Sequence, residues 1–339
     1  MPADRPGEQG AALLTVLLLV AILSVVTAVA LERLTIASRM TRNIVSADQG
    51  RAYLLTAEQM AATRIGDLVK LRPDRTTLEG GWLGRDQAIA VPGGIVTASI
   101  IDRGNCFNLN SLVKGPDNGS GVAALSGEAV LTARPEGIEQ FAGLMRLLGV
   151  DHMAALQVAT SAADWIDSDA TPGNGGAEDQ YYSGLDPAYR AANGLMADPS
   201  ELLMVSSVTP DVYQRIRPWI CTLPTTDMSP ININTLLPGQ AVLLAMLAPN
   251  TLSIEQAREV LAQRPVEGYG GGVGTFWAQP AMQRLNATQS AKDQAQQKTR
   301  WFEVRLRADL GGDNVEESVL MDADGDRVRL VRRQWGEGS

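Results

Sequence analysis

The sequence predicts an α+β chain in three parts. An N-terminal transmembrane helix continues into a long amphipathic helix, a small antiparallel sheet follows, and a large α-helical block is inserted between its strands. Three observations carry this. Ala11 to Leu31 is uncharged and dominated by apolar residues. Strand-like segments occur both early, at 88–101, and late, at 301–332. Between them, over 106–285, Ala, Leu and Met recur at helical spacing. Strands on both sides of a helical block point to an insertion into a small α/β domain.

The first element is a membrane span, because about 20 apolar residues at ~1.5 Å rise cross a hydrocarbon core of roughly 30 Å. A secretory signal would carry a small-x-small cleavage site after the apolar run, and none is evident. Instead Gly10 stands just before the run, at the end of the polar leader MPADRPGEQG. Polar leader, glycine, small residue and uncharged helix are the layout of a type IV prepilin-like signal. In such a signal a dedicated peptidase cuts between the residues at Gly10 and Ala11, and the helix stays in the mature chain. An ordinary signal anchor shares the polar-then-apolar order, so the N-terminus alone leaves both readings open. Charge counting favours the opposite orientation, with Arg5 offset by Asp4 and Glu8 before the run, and Arg33, Arg39 and Arg42 after it. Features further along the chain point to a body outside the cytoplasm and outweigh this count.

Apolar positions continue at helical spacing through Leu34, Met40, Ile44, Leu54, Leu55, Met60, Ala61, Ile65, Leu68 and Leu71, with Glu58 on the polar face. The first proline after the span is Pro73, so one helix of about 60 residues is expected to end there. Ala88–Val91 and Ile95–Ile101 flank Pro92-Gly93-Gly94, a hairpin signal. Trp301–Arg307 alternates strictly, and 317–321 and 327–332 follow as strands. Asp322-Ala323-Asp324-Gly325-Asp326, between the last two, resembles a calcium loop but is read as a hairpin turn. The expected domains are a leader at 1–10, the span at 11–31, helix and first strands at 32–105, the inserted α-helical domain at 106–285, and the remaining strands at 286–339.

Composition excludes several functions. The chain has 339 residues and a formal net charge of -9, which argues against a general electrostatic grip on DNA or anionic lipid. Two cysteines, Cys106 and Cys221, and one histidine, His152, cannot build a Cys₄ or Cys₂His₂ zinc site. His152 has no evident nucleophile beside it and is read as structural. With no redox-spaced thiol pair and no phosphate loop, the sequence does not read as an enzyme. Two cysteines in an exported body suggest one disulfide. Closing so long a loop is worth roughly 4–5 kcal/mol on the chain-entropy model.

A more specific pattern spans most of the chain. It comprises the Gly10–Val20 junction, Asn105-Cys106-Phe107-Asn108-Leu109-Asn110, Asp164-Trp165-Ile166-Asp167-Ser168-Asp169 and Gly176-Ala177-Glu178-Asp179-Gln180-Tyr181-Tyr182. Tyr189–Gly194, Ala197–Leu202, Cys221-Thr222-Leu223-Pro224 and Ile231-Asn232-Ile233-Asn234-Thr235 complete it. In this order and spacing the chain resembles the minor pseudopilin K family of type II secretion systems (general secretion pathway protein K). The resemblance implies a pilin-like domain carrying the insert, a single pass through the inner membrane and a periplasmic body. It implies other minor pseudopilins, the prepilin peptidase and the inner-membrane assembly platform as partners, and no nucleic acid. Most pseudopilins carry Glu at the fifth mature position, whereas counting from Ala11 this chain has Thr15. A carboxylate in hydrocarbon costs several kcal/mol unless paired. A subunit that enters a filament first has no neighbour to pair it, so Thr15 suits a tip subunit that initiates and caps the pseudopilus.

The acidic segment 164–201 is the one stretch with site chemistry. Calcium takes 6–8 oxygens, often from carboxylates on flexible loops. Asp167, Asp169, Glu178, Asp179 and Asp198 are spaced so that a folded loop brings them together, and Thr171–Gly176 supplies flexibility. Read alone, the segment reads first as a solvated acidic loop, and it lacks the EF-hand order. The resemblance implies calcium here. An alternative reading is a membrane-anchored helix-hairpin-helix DNA receptor, since Ile231–Thr235 precedes two helices. The hairpin Met246–Leu252 lacks a Gly-x-Gly core, and only Arg258 and Arg264 lie near it.

Overall fold

A computed structural model of the chain describes residues 6–115, 130–285, 287–325 and 327–336, with the backbone alone for 6–12. Helix α1 runs from Pro6 to Leu71, 66 residues without a break, and is about 100 Å long. Gly10 and Ala11 lie inside it. Leu13 to Val45 is exposed on every face. Among the described residues α1 is the one helix long and apolar enough to cross a membrane.

Past Gly50, α1 lies on the sheet. A Cβ at Gly50 would stand 3.0 Å from Val315 Cγ2, so the missing side chain permits the first close approach. Leu54, Ala57, Ala61 and Ile65 are buried, and steps of three and four residues put them on one face. Burying each large member contributes roughly 1.5–3 kcal/mol. Glu58 departs from expectation. It belongs to this buried face and not to the polar one, because Arg333 reaches it at 2.6 Å. The same guanidinium stands 2.8 Å from buried Glu317. Burial first, and then the charge of Glu58, push the Glu317 carboxyl up to about 7. Leu55, Met60 and Leu71, expected on the apolar face, are exposed.

Strands β1 (Gln87–Val91) and β2 (Gly94–Asp102) form the expected hairpin, pairing Val91 with Gly94. Its turn needs the left-handed φ of 88° that Gly93 adopts. The chain then leaves the sheet and builds the insert. Its helices are α2 (Pro135–Leu147), α3 (His152–Ile166), α4 (Asp179–Tyr182), α5 (Pro210–Ile216), α6 (Ala241–Ala245), α7 (Ile254–Ala262), α8 (Val273–Trp277), α9 (Pro280–Gln283) and α10 (Gln289–Gln294). Short ladders tie them. β3 (Phe107–Asn108) pairs with β6 (Ile220–Cys221), β4 (Val113–Lys114) with β5 (Thr132–Ala133), and β7 (Ile231–Asn232) with β8 (Ala295–Gln296). The sheet resumes with β9 (Trp301–Leu310), β10 (Asp313–Asp322) and β11 (Arg329–Trp335), in the antiparallel order β1-β2-β9-β10-β11.

β9 and β10 are longer than their apolar alternation indicates. Their pairing runs on to Leu310 and Asp313 around Gly311 and Gly312, through polar Asp309 and Asn314. The loop after β10 joins antiparallel neighbours as a hairpin, and Asp326 lies outside the described residues. Asp322 and Asp324 both pair with Arg300 there, at 2.9 and 3.6 Å.

β2 and β9 are hydrogen-bonded neighbours, so residues 103–300 form one excursion from adjacent strands. The helical core reaches past 285, because Ala291 and Ala295 pack into it and β8 pairs with β7. A buried polar node closes the neck. The Asp102 carboxylate accepts from Thr235 Oγ1, from Thr299 Oγ1 and from Gly104 N at 3.0 Å. Asn105 Nδ2 donates to Thr235 Oγ1 at 2.9 Å, and Asn105 Oδ1 accepts from Asn232 N at 2.8 Å. Asn232 Nδ2 donates to Thr299 Oγ1 at 2.8 Å and to Thr76 O at 3.2 Å. Burial pushes the Asp102 carboxyl up to about 6, against the pull of these donors. Beside the node, Cys106 and Cys221 form the disulfide, with Cα atoms 5.8 Å apart, packed on Leu223, Trp301 and Leu320.

Asn232→Ala strips a hydrogen-bond partner from several buried groups at once. It is expected to lower stability by about 3 kcal/mol, read from urea unfolding of the full chain. A loss within ~0.5 kcal/mol would show that the node does not hold the neck.

Candidate metal centre

Asp151 caps α3 by accepting from Met153 N at 2.9 Å and Ala154 N at 3.2 Å. The helix places Asp164 and Asp167, three residues apart, at its C-terminal end, with Asp167 as the capping residue. Ser168 then anchors the segment that leaves the helix. Its amide donates to Leu131 O at 2.9 Å and its Oγ accepts from Leu131 N at 2.9 Å.

The glycine-rich loop folds back over Asp164, whose oxygens accept from Gly173 N at 3.2 and 3.1 Å. A methyl group at Gly176 would collide with this carboxylate, so only glycine fits there. The loop delivers Glu178 to the N-terminal cap of α4, yet its side chain makes no capping bond. Beneath, Trp165 packs edge-on against Tyr182 with ring centres 5.2 Å apart, and Tyr182 accepts from Ser206 N at 3.1 Å.

Asp167, Asp169 and Glu178 thereby offer carboxylate oxygens that all lie within 4.8 Å of one another. Asp167 and Glu178 are 2% and 4% exposed. Asp167 Oδ1 and both Glu178 oxygens are buried with no hydrogen-bond partner. Burial first, then the charges of Asp169, Asp164 and Glu178, push Asp167 up to about 7. Burial first, then Asp164, push Glu178 up to about 7. Buried carboxylates without donors are costly unless neutralised or bound to a cation. An all-oxygen donor set of this kind suits a hard divalent ion and not zinc.

The other two residues of the expected ligand set are not part of this group. Asp179 accepts from Ala191 N at 2.9 Å, with Arg190 4.0 Å away. Asp198 caps a 3-10 helix in a capping box with Glu201, and accepts from Gln334 Nε2 at 3.2 Å. Asp198 is engaged as a helix cap, and Asp179 holds the backbone at Ala191. Asp164 stands outside the expected ligand set, and its i, i+3 spacing from Asp167 on one helix is the sequence signal that places it beside the group. Elsewhere, His152 opens α3 and is exposed. Asn232 and Asn234 are buried in the neck, where Asn234 Oδ1 accepts from Tyr269 N at 2.7 Å. The Ile231–Thr235 segment therefore has a structural task.

The raised carboxyls set a sign for pH dependence. Without metal, the folded state holds more protons than the unfolded state between about pH 4 and about pH 7, so stability falls as pH rises through that window. Asp102 and Glu317 shift in the same sense, so the site's own share is a difference between variants. In excess chelator, the melting temperature is expected to fall from about pH 5 to about pH 8, and to fall less in D167N/E178Q. Parallel curves for the two proteins would contradict the assignment.

The geometry can be set beside known proteins. Two family models match, both described as type II secretion system protein K, one over residues 105–225 and one over 231–297. The type II secretion system protein K of Pectobacterium carotovorum subsp. carotovorum is 33% identical over 332 residues, covering 98% of each chain. That of Aeromonas hydrophila is 32% identical over 338 residues, covering 99% of each. Among solved structures, the chain resembles one in the crystal structure of the GspK-GspI-GspJ complex from the enterotoxigenic Escherichia coli type 2 secretion system. The TM-score is 0.74 at 28% identity, covering 88% of this chain and 99% of that one. The long apolar helix, the antiparallel sheet with its inserted helical domain and these near-full-length relatives agree: the chain belongs to the type II secretion system protein K family, the minor pseudopilins.

Proposed function

We propose that this chain is the tip subunit that initiates and caps the pseudopilus, anchored in the inner membrane by α1 with its body in the periplasm. The carrying observation is the insert. Residues 103–300 stand between two neighbouring strands of the sheet, at the far end of the rod from the apolar segment, where they obstruct a further subunit above. Thr15 supports the same reading. A subunit without the membrane carboxylate has nothing to pair with above it. Hydroxyls in this helix are satisfied within it: Ser24 donates to Val20 O and Thr27 to Leu23 O, each at 2.7 Å.

The partners follow from the solved relative, which is complexed with GspI and GspJ. Equivalent minor pseudopilins are expected to join this chain along α1. The prepilin peptidase cuts after Gly10 and leaves Ala11 first, which an intact mass of the mature chain checks, and the inner-membrane assembly platform receives it. In-membrane cross-linking is expected to join this chain to other minor subunits at very low stoichiometry. Repeated copies along the shaft, with the major subunit on both sides, would overturn the tip assignment.

Calcium is the ion proposed for Asp167, Asp169 and Glu178. Calcium tolerates irregular oxygen cages, whereas magnesium demands near-octahedral geometry and sheds water reluctantly. Its task is structural: it neutralises the buried carboxylates and pins the loop to the end of α3. Binding to the folded state alone stabilises by about 2.7 kcal/mol at a hundredfold excess over Kd. Chelation should lower the melting temperature, and calcium should restore it better than magnesium. Identical melting curves in chelator and in millimolar calcium would exclude the site.

A further inference from the structure

Where α1 lies on the sheet, three charged side chains meet in the layer between them: Glu58 from α1, Glu317 from β10 and Arg333 from β11. Both carboxylates belong to residues that are 2% exposed. One guanidinium stands against both, and it does not serve them equally. Arg333 Nε and Nη2 both donate to Glu58 Oε2, at 3.0 and 2.6 Å. Glu317 Oε1 is 2.8 Å from the same Nε, yet neither Glu317 oxygen has a hydrogen-bond partner. The N–H that lies between the two carboxylates is already committed to Glu58.

The surrounding elements bring no second cation to the pair among the described residues. On α1, Gln59 Nε2 donates to Glu58 Oε1 at 3.3 Å but carries no charge. Arg51, further down the helix, pairs with Asp48 at 3.7 Å and lies over the Trp335 ring. On β9, Leu306 stands opposite Glu317, with Ala98 of β2 beyond it. Arg305 and Arg307 alternate to the other face of β9 and pair with Glu303 and Glu316. On β10, Val315 and Val319 flank Glu317 within the apolar core under α1. On β11, Trp335 is the residue opposite Glu317. Two buried anions therefore share one cation, and a surplus buried charge without a donor is costly.

We propose that Glu58 and Glu317 hold one proton between them, as a carboxyl–carboxylate pair, and that the trio forms a proton-operated clasp between α1 and the sheet. With the proton in place, Glu317 donates to Glu58 while Arg333 holds Glu58 from the other side, both charge-assisted bonds. The proton belongs to the pair and leaves to solvent. Once it is gone, two anions repel each other and Arg333, carried on an edge strand, is divided between them. Burial first, then the charge of Glu58, raise the Glu317 carboxyl from 4.5 to about 7 against the pull of Arg333. The folded state is thus the better proton acceptor, and the clasp loosens as pH rises through that window.

The test uses the full chain in nanodiscs of zwitterionic lipid, with melting temperature read from about pH 5 to about pH 8. Comparison between variants cancels the titration of Asp102 and of the acidic loop. E317Q keeps the shape and the donor of the protonated acid. It is expected to match the unaltered chain at the acid end, to melt above it at the alkaline end, and so to fall less across the range. E58Q, which leaves Arg333 to Glu317 alone, is expected to fall less as well. R333M, with two carboxylates and no cation, is expected to fall more. A plain ion pair between Glu317 and Arg333 would behave otherwise, with E317Q melting lower at every pH.

Two further readouts follow the proton and the clasp directly. Infrared difference spectra, unaltered chain minus E317Q, are expected to show a protonated-carboxyl C=O band at the acid end that vanishes at the alkaline end. Amide exchange over residues 54–65, corrected for its intrinsic pH dependence, is expected to quicken severalfold toward the alkaline end in the unaltered chain and not in E317Q. E317Q melting below the unaltered chain at about pH 8, parallel curves for the two proteins, or the absence of that band would overturn the proposal. Exchange over 54–65 that ignores pH would equally overturn the clasp.

Discussion

The neck at Asp102 is the constraint on which the rest depends. β2 and β9 lie side by side in the sheet, and neighbouring strands sit about 4.8 Å apart. A chain that leaves at Asp102 and comes back at Trp301 must return almost to its point of departure. Asp102 makes this possible by drawing Thr235, from the middle of the insert, and Thr299, from its end, onto one carboxylate. Asn105 and Asn232 cross-brace the same point. Once β9 is held there, Phe302 and Val304 enter the core that α1 covers, and the Cys106–Cys221 disulfide closes over Trp301.

The chain contains two clusters of buried carboxylates, solved in opposite ways. Glu58 and Glu317 come from a helix and a strand far apart in sequence and share one guanidinium, Arg333. The one guanidinium offsets one of the two charges and ties α1 to the sheet. Asp167 and Glu178 come from one short loop, and among the described residues their oxygens are left without hydrogen-bond donors. The cation proposed for the second cluster would make it responsive to its surroundings, where the first is held by the chain's own guanidinium.

How much of this was legible depended on whether the determinants were local. The hairpin at Pro92-Gly93 and the strand beginning at Trp301 are written in turn residues and alternation within a few positions. The end of α1 near Pro73 follows from the fixed φ of proline. Glu58 misled because its counter-charge, Arg333, is remote in sequence, and helical periodicity cannot register a partner on another element. Asp179 and Asp198 misled for the opposite reason. Asp179 accepts from the Ala191 amide and Asp198 from that of Ser200, and a carboxylate that holds nearby backbone looks the same in a sequence as a ligand. Asp164 was hidden inside a run that reads as a helix core. Its identity as the anchor of the glycine loop depends on a backbone amide at Gly173.

The continuity of α1 has a mechanical consequence. From Leu13 to Val45 the helix is exposed on every face, over a length of about 50 Å, and that stretch contains no proline. It then enters the sheet domain without a hinge. A strut of this kind has little axial compliance. Displacement applied at the membrane end arrives at the insert almost undiminished, and load on the insert returns along the same line. With the proposed membrane anchoring, the linkage between bilayer and head would be a push-rod and not a tether, and the number of residues in one helix would set the head's height.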